Sequence, residues 1–207
     1  MNRATIIAQL PPASRWFLGG YLLLTLVSIG VIAAASKPEI HLAINAWHHP
    51  TMDEFFKAIT HLGEPTAVLV VSLLLLLKHY RWALILWLIT GINGLLVTVI
   101  KKSILDDMRP FKLFQHLNIP LYLVPGIRMH EYNTFPSGHT AIAFGMLFLL
   151  SLLSTRAWAG GLFLLLAVLV AWSRMYLSMH FLVDVVVGAA IGMLVAALVY
   201  YKSVHSP

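Results

Sequence analysis

The chain has 207 residues, enough for one ordinary domain, but 59% of them are hydrophobic and 11% charged, where soluble domains run at about 45–50% and about 25%. That balance cannot cover a water-facing surface, so soluble, disordered and collagen-like classes are excluded and an integral membrane protein remains. The net charge of +6 does not point to nucleic acid, because no basic run exceeds Lys101-Lys102 and no basic stripe interleaves with aromatics. With no cysteine in the chain, disulfides, thiolate catalysis and cysteine-ligated metal sites are excluded as well.

In chain order, apolar runs fall at residues 16–35, 66–77, 82–100, 140–153, 158–172 and 183–201. They predict an all-α integral membrane fold, a bundle of six transmembrane helices forming a single domain over residues 1–207. The second, fourth and fifth runs are short. Pro65 suits a first helical turn, and Lys78 and Arg81 can snorkel to the headgroups, so helices can extend them. Arg3, Arg15 and Ala33-Ala34-Ala35 give the first run some likeness to a signal peptide, but its apolar stretch exceeds the usual ~7–15 residues and reads as an uncleaved helix. Within the connection 37–65, Thr51-Met52-Asp53-Glu54 after Pro50 reads as a capping box. It opens an amphipathic helix that ends at Gly63 and lies on the membrane surface. A second long connection, 103–135, is rich in proline and polar residues. Gly188 and Gly192 form a G-x-x-x-G stripe suited to close helix packing, within the subunit or in a homodimer.

Six spans place both termini on one side of the membrane. Arg3, Arg15, Lys78, Arg81, Arg156 and Lys202 collect there in short loops, without an acidic residue. The other side holds eight basic residues, Lys37, Lys57, Lys101, Lys102, Arg109, Lys112, Arg128 and Arg174, and every acid. Short loops weigh more than long ones and acids count little, so the first side is assigned to the cytoplasm. Trp16, Tyr80, Trp82, Trp158, Tyr200 and Tyr201 flank the same helix ends as an interfacial belt would.

Ionisable residues at the ends of membrane helices are expensive and therefore suspect. Three clusters stand out: Lys102 with Arg109-Pro110 after the third span, Pro136-Ser137-Gly138-His139 opening the fourth, and Ser173-Arg174, His180 and Asp184 between the fifth and sixth. The predicted topology puts all three at the outer face. Lys102, Arg109 and Arg174 would concentrate positive charge, with arginine forks suited to phosphate oxygens. Ser137 and Gly138 sit where free N–H groups at a helix start favour an anion, and Gly138 allows close backbone approach. His180 and Asp184 are one helical turn apart, so the carboxylate can fix the ring tautomer and leave one nitrogen as nucleophile. His139 can then serve as general acid and, once neutral, activate water. This is a phosphate cradle that needs no metal.

Read in order, K-x6-RP, PSGH and SR-x5-H-x3-D resemble the three-part signature of the type 2 phosphatidic-acid phosphatase superfamily, which vanadium haloperoxidases share. The resemblance implies a metal-independent membrane lipid phosphatase of six helices, without cofactor, whose partners are its lipid phosphate substrate and the surrounding lipids. It makes His180 the nucleophile, His139 the acid/base, Asp184 the orienting carboxylate, and Lys102, Arg109, Ser137, Gly138 and Arg174 the phosphate ligands. By family analogy the expected reaction is undecaprenyl diphosphate to undecaprenyl phosphate, in a bacterial inner membrane with the site facing the periplasm. Phosphatases of phosphatidylglycerol phosphate, phosphatidic acid or lipid A, a lipid A phosphotransferase, and a non-catalytic lipid-phosphate binder or transporter are the alternatives. Membrane spans argue against a haloperoxidase.

Simpler readings apply elsewhere. Lys101 reads as an interfacial anchor, because Lys102 has the signature spacing. Asp106 and Asp107 read as loop caps. His48, His49, His61 and His116 lack metal-ligand spacing and read as surface residues, while His130 and Glu131 stand near enough to the cradle to touch a headgroup.

Overall fold

The computed structural model describes residues 10–77, 79–103 and 107–205, so Arg3, Lys78 and Asp106 lie outside the described residues. The described chain is helical: α1 (Pro12–Ala34), α2 (Lys37–Asn45), α3 (Pro50–Ile59), a 3-10 turn (Thr60–Gly63), α4 (Pro65–Leu76), α5 (Tyr80–Ser103), α6 (Pro110–His116), α7 (Gly138–Leu153), α8 (Ala157–Tyr176) and α9 (Leu182–His205). All six apolar runs are helices. Helix length supports four or five of the six expected crossings. Among the described residues, α1, α5, α8 and α9 are long and apolar enough to span, and α3 with its turn and α4 make a fifth if that pair, bent by 60°, is one broken span. At 16 residues α7 falls short of the ~20 that a bilayer core asks for, being fixed between the Ser137 cap and Ser154.

Most of α7 is buried, with α1, α5, α8 and α9 around it. Phe17 of α1, Leu86 and Ile89 of α5, Phe144, Phe148 and Leu149 of α7 and Val170 of α8 form the core. On α1, Ala13, Ser14 and Phe17 are buried, while Leu22, Leu23, Leu26 and Val27 stay exposed, as expected of a lipid-facing helix.

Helices α7 and α9 pack backbone against backbone, and glycine is the reason. A Cβ at Gly188 would sit 2.5 Å from the Ser137 carbonyl oxygen, and one at Gly192 would collide with that of Ala141. The G-x-x-x-G stripe is thus used inside the subunit. Asn93 of α5 adds a polar tie, donating to the Ala141 carbonyl at 3.3 Å.

The connection after α1 is more structured than its sequence suggests. A capping box does form, but at Ser36 and Glu39: the Ser36 N–H donates to the Glu39 carboxylate at 2.8 Å and the Glu39 N–H to Ser36 Oγ at 3.4 Å, opening α2. Thr51 is not a cap. Pro50, with its fixed φ, takes the first helical position, so His49 becomes the cap and its Nδ1 accepts from the Thr51 N–H at 3.3 Å. Nor does α3 merely rest on a surface. Asp53 is buried and accepts from Tyr176 Oη of α8 at 2.6 Å and Tyr122 Oη at 2.8 Å. That arrangement ties the whole connection to the bundle.

Gly188→Ala is expected to destabilise the protein by roughly 1–3 kcal/mol, the usual range for overpacking, because the intruding methyl meets backbone. Gly161 has nothing within 4 Å of an added Cβ, so Gly161→Ala is expected to be neutral or slightly stabilising. Thermal inactivation midpoints in detergent compare the two, and equal midpoints would refute the close-packing account.

Candidate active site

The three clusters converge at one end of the bundle. The Ser137 N–H donates to the Asp184 carbonyl at 3.0 Å, joining the starts of α7 and α9. The end of α8 is folded back onto the same point. Met179 N–H donates to the Arg174 carbonyl at 2.9 Å and Ser178 N–H to that of Met175 at 3.0 Å, the bond pair of a Schellman motif. Ser178 takes the left-handed position (φ 54°) where glycine is usual. It is held by the buried His41 of α2, whose Nε2 lies 3.1 Å from Ser178 Oγ. Burial first, and then the nearby His48, hold His41 down to about 4, so this ring is neutral. His180 follows, and its own N–H also reaches the Arg174 carbonyl at 3.1 Å. The helix terminator thus sets the separation between Arg174 and His180.

The His180 ring is buried. Its Nδ1 lies 3.4 Å from Asp184 Oδ2 and 3.3 Å from Thr134 Oγ1, and the Thr134 hydroxyl donates to that same Oδ2 at 2.5 Å. At 3.4 Å the direct His–Asp contact is long for a hydrogen bond, so the Thr134 hydroxyl is the stronger partner of the carboxylate. Asp184 is fixed further by the Phe181 N–H at 2.8 Å. With Nδ1 engaged on this side, Nε2 is the nitrogen left for chemistry. Burial above all, then the positive charges of Arg174, Arg109 and Lys101, push the His180 pKa well below its ordinary value. The ring is therefore neutral at physiological pH, as a nucleophile must be.

Arg174 is buried, and its Nη1 donates to Thr60 Oγ1 at 2.6 Å while Nε meets no acceptor among the described residues. Arg109 is held by carbonyl oxygens: Nε on Tyr132 at 3.0 Å, Nη1 on Met179 at 3.3 Å and Nη2 on Asn133 at 3.3 Å. Asn133, in the left-handed conformation (φ 60°), also accepts from Lys101 Nζ at 2.8 Å. Here the structure differs from the sequence reading. Lys101 stands beside Arg109, whereas Lys102 is exposed. Adjacent helical residues point about 100° apart, so the end of α5 can turn only one of the two toward the site.

Ser137 caps α7, its hydroxyl accepting from the Thr140 N–H at 3.4 Å and from Thr140 Oγ1 at 2.9 Å. That use keeps Ser137 Oγ within the helix start. A Cβ at Gly138 would meet only Val97, at an ordinary 3.6 Å, so packing within the protein does not demand glycine there. His139 is one-third exposed, with Nε2 3.8 Å from Glu64 Oε1.

Three participants were missed from sequence. Thr134 lies in an irregular loop, where no spacing rule points to it, and Thr60 and Glu64 lie in a connection read as a surface helix. Asp107 accepts from the Phe135 N–H at 2.7 Å and so tethers the loop, in line with its reading as a cap. Glu131 pairs with Lys112 at 3.1 Å, His130 is exposed, and His61 pairs with Glu64 at 3.0 Å. His48 is no surface residue: it packs on Tyr176 and lies 3.0 Å from that residue's carbonyl oxygen. Among the described residues no three His, Asp or Glu side chains converge as a metal ion requires.

The sequence profile of the PAP2 superfamily matches residues 82–206, more than half of the chain and the stretch that carries all three clusters. This chain belongs to the PAP2 superfamily. It is accordingly a multi-pass membrane lipid phosphatase of a metal-independent family. The PAP2 chain is 28% identical over 161 residues to the lipid A 4'-phosphatase of Bacteroides thetaiotaomicron, covering 74% of this chain and 71% of the relative. It is 32% identical over 124 residues to the undecaprenyl-diphosphatase of Sulfolobus acidocaldarius, covering 59% and 56%. The crystal structure of Aquifex aeolicus LpxE superposes on this PAP2 fold with a TM-score of 0.70 at 27% identity, over 81% of this chain and 96% of the other.

The geometry gives the two lysines separable roles. Lys101→Met is expected to weaken inhibition by inorganic phosphate at least about tenfold, the lower bound for losing a charge-assisted contact, and Lys102→Met to leave it within about twofold. Inhibition constants measured side by side decide it, and the reverse order would restore Lys102 as the ligand.

Proposed function

We propose that this protein hydrolyses the phosphomonoester or diphosphate of a membrane lipid through a phosphohistidine on His180. The observation that carries the reading is the buried, neutral His180, its Nδ1 turned to Thr134 and Asp184, beside a buried Arg174 that no carboxylate among the described residues pairs. His180 Nε2 attacks phosphorus and the bond to the leaving oxygen breaks as His139 gives that oxygen a proton. Water then loses a proton to His139 and attacks the phosphohistidine, releasing phosphate and restoring both rings. Arg109, Arg174 and a lysine at the end of α5, with Lys101 better placed than Lys102, stabilise the charge spread over the equatorial oxygens. The Gly138 backbone, open to an approaching anion at the start of α7, completes the cradle, and Ser137 contributes by holding that start in shape.

Undecaprenyl diphosphate is our first choice of substrate, supported by the resemblance to an undecaprenyl-diphosphatase. Lipid A is the second, favoured by the longer match to a lipid A 4'-phosphatase. An apolar crevice of about 720 Å3 between α1, α2, α8 and α9 offers an aliphatic chain a place near the headgroup. Met175 and Leu182, on either side of the turn that carries His180, both line it. We further propose that residues 1–207 act as one unit in which all six apolar helices cross. The short α7 is tolerable because it is surrounded by protein rather than lipid. On the charge of the short loops, the termini would be cytoplasmic and the site would face outward.

The test is phosphate release from undecaprenyl diphosphate, lipid A, phosphatidylglycerol phosphate and phosphatidic acid in detergent with EDTA present. Turnover is expected to survive chelation and to fall by at least about a thousandfold in His180→Ala and strongly in His139→Ala and Asp184→Asn. Wild-type-like activity in either histidine variant would contradict the mechanism. Release only in the presence of a second lipid would make the protein a phosphotransferase.

A further inference from the structure

We infer that the segment Thr60–Glu64, which carries none of the signature residues, is a working part of the same site: Thr60 positions Arg174, and Glu64 supplies the charge that favours a proton on His139. The inference rests on the roles given above to Arg174 and His139.

Thr60 is buried, and its hydroxyl accepts from Arg174 Nη1 at 2.6 Å. Among the described residues no carboxylate lies within ion-pairing distance of that guanidinium. A neutral hydroxyl fixes the direction of the fork without cancelling its charge, and it leaves the unpartnered Nε for an anion. A carboxylate in the same place would compete with the substrate.

Glu64 follows directly. Its Oε1 lies 3.0 Å from His61 Nδ1 and 3.8 Å from His139 Nε2, and its Oε2 accepts from Thr66 Oγ1 at 3.3 Å. His61 and Thr66 thereby aim the carboxylate at His139. The backbone is fitted to the same purpose: a Cβ at Gly63 would stand 2.8 Å from the His139 carbonyl oxygen and 2.9 Å from its Cβ, so only glycine lets the turn lie this close. The charged and titratable groups around His139 are Arg174 from α8, His180 from the following turn and Glu64. Burial and the first two oppose a proton on the ring, and among the described residues Glu64 is the one that favours it. A general acid must begin protonated, so the segment offsets part of what burial and the cationic cradle take away.

Glu64→Gln keeps the shape and removes the charge. The expected result, with phosphatidic acid as substrate, is an alkaline limb of the kcat profile displaced to lower pH by about one unit, equivalent to about a tenfold loss above it. KM is expected to stay within about twofold, and Glu64→Asp to restore part of the limb. Thr60→Val should show the opposite split: KM and the inhibition constant for inorganic phosphate rise about tenfold, the limb stays in place, and Thr60→Ser recovers affinity. An unmoved limb in Glu64→Gln, or equal losses of kcat and affinity in both variants, would overturn the inference while leaving the phosphatase reading intact. Absence of any His180-dependent turnover would instead defeat that reading, and the role of the segment with it.

Discussion

The backbone contact between the starts of α7 and α9 is the constraint on which the rest of the site depends. Gly188 and Gly192 remove the side chains that would hold these helices apart, and the Ser137 N–H then reaches the Asp184 carbonyl at 3.0 Å. Ser137 caps the helix whose second residue is His139, and Asp184 lies against His180, so this contact fixes the proposed acid/base relative to the proposed nucleophile. The α8 terminator supplies the remaining coordinate by closing Met179 and His180 onto the carbonyl of Arg174. Catalytic groups from three helices are thus referred to two backbone features, neither of which is itself reactive.

A second regularity is how the cations are held. Among the described residues Lys101, Arg109 and Arg174 rest on backbone carbonyls or a hydroxyl, not on carboxylates. Neutral acceptors restrain direction and leave the positive charge available, which suits a site whose substrate brings the anion. Asp184 is kept to His180, Thr134 and the Phe181 N–H, and Glu64 stands at the rim beside His139. Asp107, held by the Phe135 N–H, stands close enough to act on Lys101 and Arg109 through space without pairing with either.

Much of this was legible in the sequence. Composition fixed the solvent, the apolar runs located the membrane helices, and the three clusters reached one face once the helices were laid out. What could not be read follows from geometry at the scale of a single residue. Lys101 and Lys102 have equal chemistry, and only the rotation of α5 at its last turn chooses between them. Thr51 looked like a cap until Pro50 claimed the first helical position. Thr134 joins His180 to Asp184 from a loop that carries no periodic signal. Thr60, Gly63 and Glu64 reach the site because buried Asp53 binds Tyr176 and draws the connection against α8, a long-range contact with no local trace. Helix length alone supports four or five of the six expected crossings among the described residues, because α4 and α7 are shorter than a bilayer-spanning helix, with α7 sheltered by its neighbours.

The most direct test of the account is to trap the covalent intermediate. Wild-type protein mixed with lipid carrying a radiolabelled phosphate, and quenched in alkali within the first turnover, should hold an acid-labile, alkali-stable label on the peptide that contains His180. The same experiment on His180→Ala should leave the protein unlabelled. Rapid turnover with no label on the protein, or label retained in His180→Ala, would contradict a phosphohistidine at this position and with it the role given to the site.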